Sequence, residues 1–431
     1  MTESPPVTAQ PPSGPVIGAR TDDGLLRFRG LRYGTAERFQ PPRPVAPHSE
    51  PADALLPGPI CPQLGSRLEA AMGPPRGEPP HSEDCLHLAV ATPGLTGARP
   101  VLVWLHGGGF LSGGGTLPWY DGGRLAADGD VVVVSVNYRL GAFGYLVHEG
   151  LSEGNLGLAD QMLALEWVRD NIAAFGGDPG NVTVFGQSAG ALSTLALLSN
   201  PTSRPLIRRA IVQSSPAPEI IQERAAALEI GQYFVDAVGG NPGTASVDQL
   251  LAAQLRTLRW NAAKDPTSTR PPFGMVGIEV DGDVLLSDPL PDLMIGYTAQ
   301  ECTAFALGVE DAEIRQAIVD QTEPLFGRPA RELARQYAEA SGTVYSYEFD
   351  WAPEHGGYGA IHCLELPFLM GTPESWRGSP MLGETSWTEV ERLGAQMRLW
   401  WTEFARSGSP DPRLGEKFRI GNPSHALENT P

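Results

Sequence analysis

The stretch from Val182 to Leu198 reads VTVFGQSAGALSTLALL. Its opening, with Val182, Val184 and Phe185, is β-branched and aromatic, the composition of a strand. Its close is Ala/Leu-rich and reads as a helix. Between them lies Gly186-Gln187-Ser188-Ala189-Gly190, a serine with glycines two residues before and two after. A strand that reverses into a helix over five residues around such a serine is a nucleophile elbow. Ser188 must take strained backbone angles at the apex, and side chains at 186 and 190 would collide with the neighbouring strand and helix. The helix that follows aims free N–H groups and a partial positive charge at the serine.

Outward from the elbow, near-continuous apolar runs mark further strands. They are Leu86 to Ala91, Pro100 to His106, Val131 to Val136, Arg209 to Gln213, Leu293 to Tyr297 and Thr343 to Phe349. Val-rich runs of this kind are covered on both faces, which predicts a largely parallel central sheet flanked by helices. Leu25 to Tyr33 alternates as a strand. Arg38 to Pro44 is extended by its prolines, and residues 45–82 read as a Pro/Gly-rich surface loop. Leu158, Met162, Leu165, Val168 and Ile172 keep a helical period that ends at Gly176-Gly177. A last helix spans Leu393 to Ser407. Helical insertions fall around 216–270 and 302–342. Residues 1–15, rich in Pro, Ser, Thr and Gln, are expected to be a disordered tail, and 16–431 a single α/β domain.

The bulk composition narrows the partners. The chain has 431 residues and a net charge of −19, which argues against nucleic acid and against an anionic membrane. No run of about 18 apolar residues is present, so no membrane span is predicted. The N-terminus lacks the basic and apolar regions of a secretory signal, so the cytoplasm is the expected compartment and secretion the alternative. Four cysteines are too few for a disulfide scaffold and are not spaced as a zinc site. The expected assembly is a monomer or a weak homo-oligomer.

A serine nucleophile needs a base, an acid to orient that base and a cradle for the oxyanion. Where an elbow carries the serine, the acid and then the histidine follow it in the chain. Five of the eight histidines, His48, His81, His87, His106 and His148, precede Ser188. Of the rest, His425 lies in a polar tail and His355 in a glycine loop. His362 lies on the loop after the 343–349 strand, before an apolar run, and is the expected base. Glu301, a few residues past the 293–297 strand, is the expected acid. Asp281 and Asp283 are its rivals, although their Asp-Gly pattern reads as a hairpin turn. His106-Gly107-Gly108-Gly109-Phe110 matches the oxyanion loop of lipases and esterases, with the N–H groups of Gly108, Gly109 and Ala189 as expected donors.

These residues resemble the type-B carboxylesterase family, which includes bacterial p-nitrobenzyl esterases and the cholinesterases. The resemblance runs from about Gly24 to Pro412. It rests on Ser82 to Leu86, the HGGGF loop, Asn137 to Gly141, Gly154 to Gln161, Phe175 to Pro179, the elbow, the His362 loop through Phe368 and Trp401 to Pro412. It implies an α/β-hydrolase fold and hydrolysis of carboxylic esters through an acyl-enzyme on Ser188, with Glu301 as acid and His362 as base. It needs no cofactor and no metal, and its partner is a small-molecule ester. It also implies ion pairs of Arg38 with Glu83 and Arg139 with Asp160, and a Cys61–Cys85 disulfide.

Four departures stand out. Gln187 replaces a glutamate often found before the nucleophile, which lowers the expected preference for cationic esters. The Glu301–His362 segment is short, which implies a reduced helical lid, and the 31–39 segment is shortened too. Cys302 and Cys363 stand where glycine is common, each directly after a proposed triad residue, so a second disulfide is weighed. Trp119, Tyr120 and Phe110 are candidate pocket residues. An amidase, lactonase or acyl transferase on the same triad is the alternative activity. A non-catalytic binding module is disfavoured because every triad position is filled.

Overall fold

The computed structural model describes residues 6–280, 282–411, 413–414 and 417–420. Eleven strands form the main path of one sheet: β1 Pro6–Ala9, β2 Val16–Arg20, β3 Leu26–Arg32, β4 His87–Thr92, β5 Arg99–Leu105, β6 Val132–Val136, β7 Gly177–Gln187, β8 Arg209–Gln213, β9 Asp292–Thr298, β10 Val344–Phe349 and β11 Lys417–Ile420. Their order across the sheet is 1-2-3-4-6-5-7-8-9-10-11, and a two-residue strand at Ala52–Asp53 adds to β2. From β6 to β11 every pairing is parallel; from β1 to β6 the pairings are antiparallel. The chain crosses back over the sheet through helices, chiefly α1 Leu156–Asn171, α2 Ala189–Ser199, α3 Arg224–Val238, α4 Val247–Lys264, α5 Arg328–Glu339 and α6 Trp387–Ser407.

The side-chain alternation of the strands feeds two hydrophobic layers. Val101, Val103 and Leu105 of β5 and Ala210 and Val212 of β8 enter the first, together with Ala189 and Leu192 of α2. Leu102 and Trp104 of β5 and Ile211 of β8 enter the second, with Met397, Trp401 and Phe404 of α6. Alternate residues of a strand point to opposite faces, so each layer covers one face. Both faces are covered, which is why these strands read as unbroken apolar runs. Helix α2 is buried from Ala189 through Leu198, which explains its lack of a polar stripe.

Several expectations are corrected. The proposed disordered tail is, from Pro6 to Ala9, a strand paired antiparallel with β2. Proline opens this edge strand, a position where its missing N–H costs nothing. The last helix begins at Trp387 rather than Leu393, because Ser386 caps it by accepting the N–H of Glu389. The expected hairpin at 281–283 is a helical turn, Gly282–Leu285. Asp281, the side chain of Asp283 and His425 lie outside the described residues.

Candidate active site

Strand β7 delivers Ser188 to the parallel strands' carboxyl edge, and α2 starts at the next residue. Ser188 has φ 58° and ψ −122°, a conformation held by its own N–H donating 2.9 Å to the Gln213 carbonyl on β8. The two elbow glycines are sterically forced. A Cβ on Gly186 would lie 2.4 Å from the Gly190 carbonyl oxygen, and one on Gly190 would lie 2.0 Å from the Leu105 carbonyl oxygen. Ser188 remains partly accessible while Glu301 and His362 are fully buried. The serine is therefore the member of the set that a substrate can reach.

Glu301 sits three residues past β9 and His362 on the loop after β10. The structure brings them together: the imidazole Nδ1 is hydrogen-bonded to Glu301 Oε2. The other carboxylate oxygen accepts the Thr298 N–H at 2.8 Å, so the glutamate is aimed by main chain. The rings of Phe305 and Phe326 flank the imidazole, with centroids 5.1 and 5.3 Å away. His362 Nε2 faces the elbow, but its partner there is Gln187, whose amide donates at 3.1 Å. Among the described residues no hydrogen bond joins Ser188 to His362. Catalytic hydrogen bonds are often unmade until substrate binds. Cys363, next in the chain, has φ 75°, a left-handed conformation that explains why glycine suits this position.

The loop from His106 to Phe110 passes over the serine, close enough that a Cβ on Gly107 would lie 3.1 Å from Ser188 Cβ. Gly108, Gly109 and Phe110 all have positive φ, a run of left-handed backbone that glycine adopts freely. Among the described residues the amides of Gly108, Gly109 and Ala189 engage no acceptor. The loop itself is clamped. Tyr138 donates its hydroxyl to the His106 carbonyl at 2.5 Å, and the Gly141 N–H donates to the Phe110 carbonyl at 2.6 Å. Burial pulls the His106 pKa down to about 4, and its neutral ring donates to the Gly107 carbonyl at 2.7 Å.

The ion pairs implied by the resemblance are formed. Arg38 pairs with Glu83 and also donates to the carbonyls of Pro242 and Ala245. Arg139 binds both oxygens of Asp160. The two disulfides are not: all four cysteines are free and buried. The Cys61 thiol donates to the Pro62 carbonyl at 3.7 Å, and the neighbouring Cys61 together with burial pushes the Cys85 thiol up. The Cys363 thiol turns towards Gln187 Oε1 at 3.6 Å, while Cys302 is held by its N–H on Thr322 Oγ1.

A cavity of about 310 Å³ opens beside the elbow, lined by Gly107, Gly108, Trp119, Tyr120, Gln187 and Cys363 among others. Phe110 is not part of it, packing instead on Tyr145 with ring centroids 4.8 Å apart. Two polar contacts escaped the sequence reading. One is the contact of Gln187 with the histidine. The other is Glu365, buried with its Oε1 accepting from Gln213 at 3.3 Å; burial, then the nearby Glu301 charge, pushes its pKa up to about 8. Its one visible signal is a lone carboxyl inside the apolar run Leu364 to Phe368. Among the described residues no cluster of three His, Cys, Asp or Glu is placed to hold a metal, and no helix is long and apolar enough to cross a membrane.

Comparison with known proteins follows the same lines. The profile of the Carboxylesterase family matches residues 4–323 and 309–425. A probable N-octanoylanthranilate hydrolase from Rhodococcus erythropolis is 39% identical over 424 residues, covering 93% of both chains. The para-nitrobenzyl esterase of Bacillus subtilis (strain 168) is 35% identical, over 91% of this chain and 88% of the other. Among solved structures, a thermophilic PNB esterase superposes with a TM-score of 0.84 at 30% identity, over 96% of each chain.

Proposed function

This chain belongs to the carboxylesterase family and hydrolyses carboxylic esters; on that premise we propose that Ser188 is the nucleophile, His362 the general base and Glu301 its orienting acid. The observation that carries this is the imidazole tethered to Glu301 by Nδ1 while Nε2 faces the elbow. Attack begins when the Gln187 amide yields Nε2 to the Ser188 hydroxyl. The Ser188 oxygen then adds to the ester carbonyl as its proton passes to Nε2. The N–H groups of Gly108, Gly109 and Ala189 receive the oxyanion, each contributing roughly 3 kcal/mol to the transition state. The alcohol leaves with the proton from His362, and water repeats the sequence on the acyl-enzyme.

Ser188→Ala, His362→Ala and Glu301→Gln should each cut turnover of p-nitrophenyl butyrate by several orders of magnitude with the fold intact. Undiminished turnover in Ser188→Ala would dispose of the proposal. A second reading, cleavage of N-acyl amides of aromatic acids, draws on the Rhodococcus relative and its name. Acylation of Ser188 and the proton delivery to a leaving amine would use the same groups. Release of anthranilate from N-octanoylanthranilate, absent in Ser188→Ala, tests it.

A further inference from the structure

Several enclosed arginines of this protein meet a carboxylate: Arg38 meets Glu83, Arg139 meets Asp160, Arg209 meets Asp292 and Arg398 meets Asp128. Arg67 does not. Among the described residues its one hydrogen bond is from Nη1 to the Thr269 carbonyl, at 2.9 Å. The guanidinium carbon stands 4.8 Å above the ring of Phe305, the ring that flanks His362. On its other side Nη2 comes within 3.5 Å of where a Cβ on Gly109 would sit. Arg67 thus spans the gap between the oxyanion loop and the ring beside the base, and it keeps an open face to solvent.

The side chain is exposed, and the ionisable groups nearest its guanidinium are the thiols of Cys302 and Cys363. The group is therefore charged at neutral pH, with thiols and an aromatic ring as neighbours. Among the described residues no carboxylate forms an ion pair with Arg67. Glu69 and Glu78 line the cavity on the Gly107 side, and Glu78 is paired with His81. A solvent-facing cation with no carboxylate partner has its donors available to a ligand's negative charge. A guanidinium with free donors in its plane matches a carboxylate, which it can bind through two hydrogen bonds.

We propose that Arg67 is a specificity residue that binds a carboxylate carried by the ester substrate, close to the scissile carbonyl. The proposal rests on Ser188 as nucleophile and names the substrate class of that same site. The carboxylate could belong to the acyl chain or to the departing alcohol, and the test separates the two.

Three esters serve: p-nitrophenyl butyrate, which is neutral; mono-p-nitrophenyl glutarate, with a carboxylate on the acyl side; and butyryl salicylate, with a carboxylate on the leaving group. In Arg67→Gln, kcat/KM for one of the two anionic esters should fall about 10-fold or more, while the neutral ester moves less than about 3-fold. Arg67→Lys keeps the charge but not the fork and should fall in between. The anionic preference of the unaltered enzyme should weaken as NaCl rises from about 0.05 to about 0.5 M, and that of Arg67→Gln should not. The ester that responds identifies which half carries the charge. Equal losses on all three esters, or no loss on either anionic ester, overturn the proposal. Ser188→Ala is assayed in parallel: activity retained there would indict the nucleophile, whereas an inert Ser188→Ala with an unmoved substrate ratio in Arg67→Gln would indict Arg67 alone.

Discussion

Replacing Asp160 by asparagine should cost this protein about 3–5 kcal/mol. Asp160 has no exposed side-chain surface, and its partner Arg139 has 5%. Oδ2 accepts the Arg139 N–H at 3.0 Å and Nε at 2.9 Å, and Oδ1 accepts Nη2 at 2.7 Å. Burial pushes the Asp160 carboxyl up even against the pull of Arg139. The pair as a whole therefore adds little net stability, but half of it cannot be removed cheaply. An asparagine offers one acceptor where three donors converge. The guanidinium would keep its bond to the Gln40 carbonyl and share the single amide oxygen with the Arg139 N–H. The loss is a large part of the roughly 5–15 kcal/mol that holds a typical protein together. It should also reach the site, because Arg139 lies between Tyr138 and Gly141, the two residues that clamp the His106–Phe110 loop. Urea unfolding followed by tryptophan fluorescence would read the stability, and kcat on p-nitrophenyl butyrate at low urea would read the loop. Arg139→Met/Asp160→Leu, which removes both charges, should recover to within about 1 kcal/mol of the parent. A single Asp160→Asn variant within about 1 kcal/mol of the parent, or a double variant as weak as the single, would refute this reasoning.

Glu365 predicts a pH dependence. Its pKa rises from the ordinary 4.5 to about 8 on folding, so the folded state holds a proton that the unfolded state gives up above its own lower pKa. The contribution is fully present at low pH and is lost as pH rises towards about 8. Glu365→Gln cannot ionise, so it should gain on the parent by on the order of 2–4 kcal/mol between about pH 5 and pH 8.5, read by urea unfolding at both; parallel pH profiles would count against it. Gly190→Ala should lose about 3 kcal/mol or more, and its activity with it, since the added carbon meets main-chain oxygens of both Leu105 and His106. Calorimetry that finds the parent's Tm in this variant would contradict the steric account of the elbow.

The elbow could be read from the chain because its constraint is local: strand, turn and helix are contiguous, and each glycine answers a clash within a few residues or with the adjacent strand. The strands β5, β6 and β8 were equally plain, since burial on both faces leaves them almost wholly apolar between their ends. His362 and Glu301 emerged from chain order, a topological constraint that needs no side-chain geometry. Strand β1 was hidden because its pairing partner, not its Pro- and Thr-containing sequence, orders it. The bond from Gln187 to His362 was hidden for a different reason. It depends on rotamers of residues 175 positions apart, and nothing in the spacing distinguishes a glutamine turned to the base from one turned away. Arg67 lay in a stretch that reads as surface loop, and its neighbours Gly109 and Phe305 come from elsewhere in the chain.

The two layers of the core bear on how this protein can change. Helix α2, which follows Ser188, is rooted in one layer, while Ile361, Cys363 and Leu364, which bracket His362, are rooted in the other. Ser188 and His362 therefore straddle a seam, each partner mounted on separate upholstery. Laboratory evolution for heat tolerance that refills only one layer would shift one partner against the other, and activity would suffer before the fold did. Compensating changes should accordingly turn up on the opposite side of the sheet from the mutation they rescue.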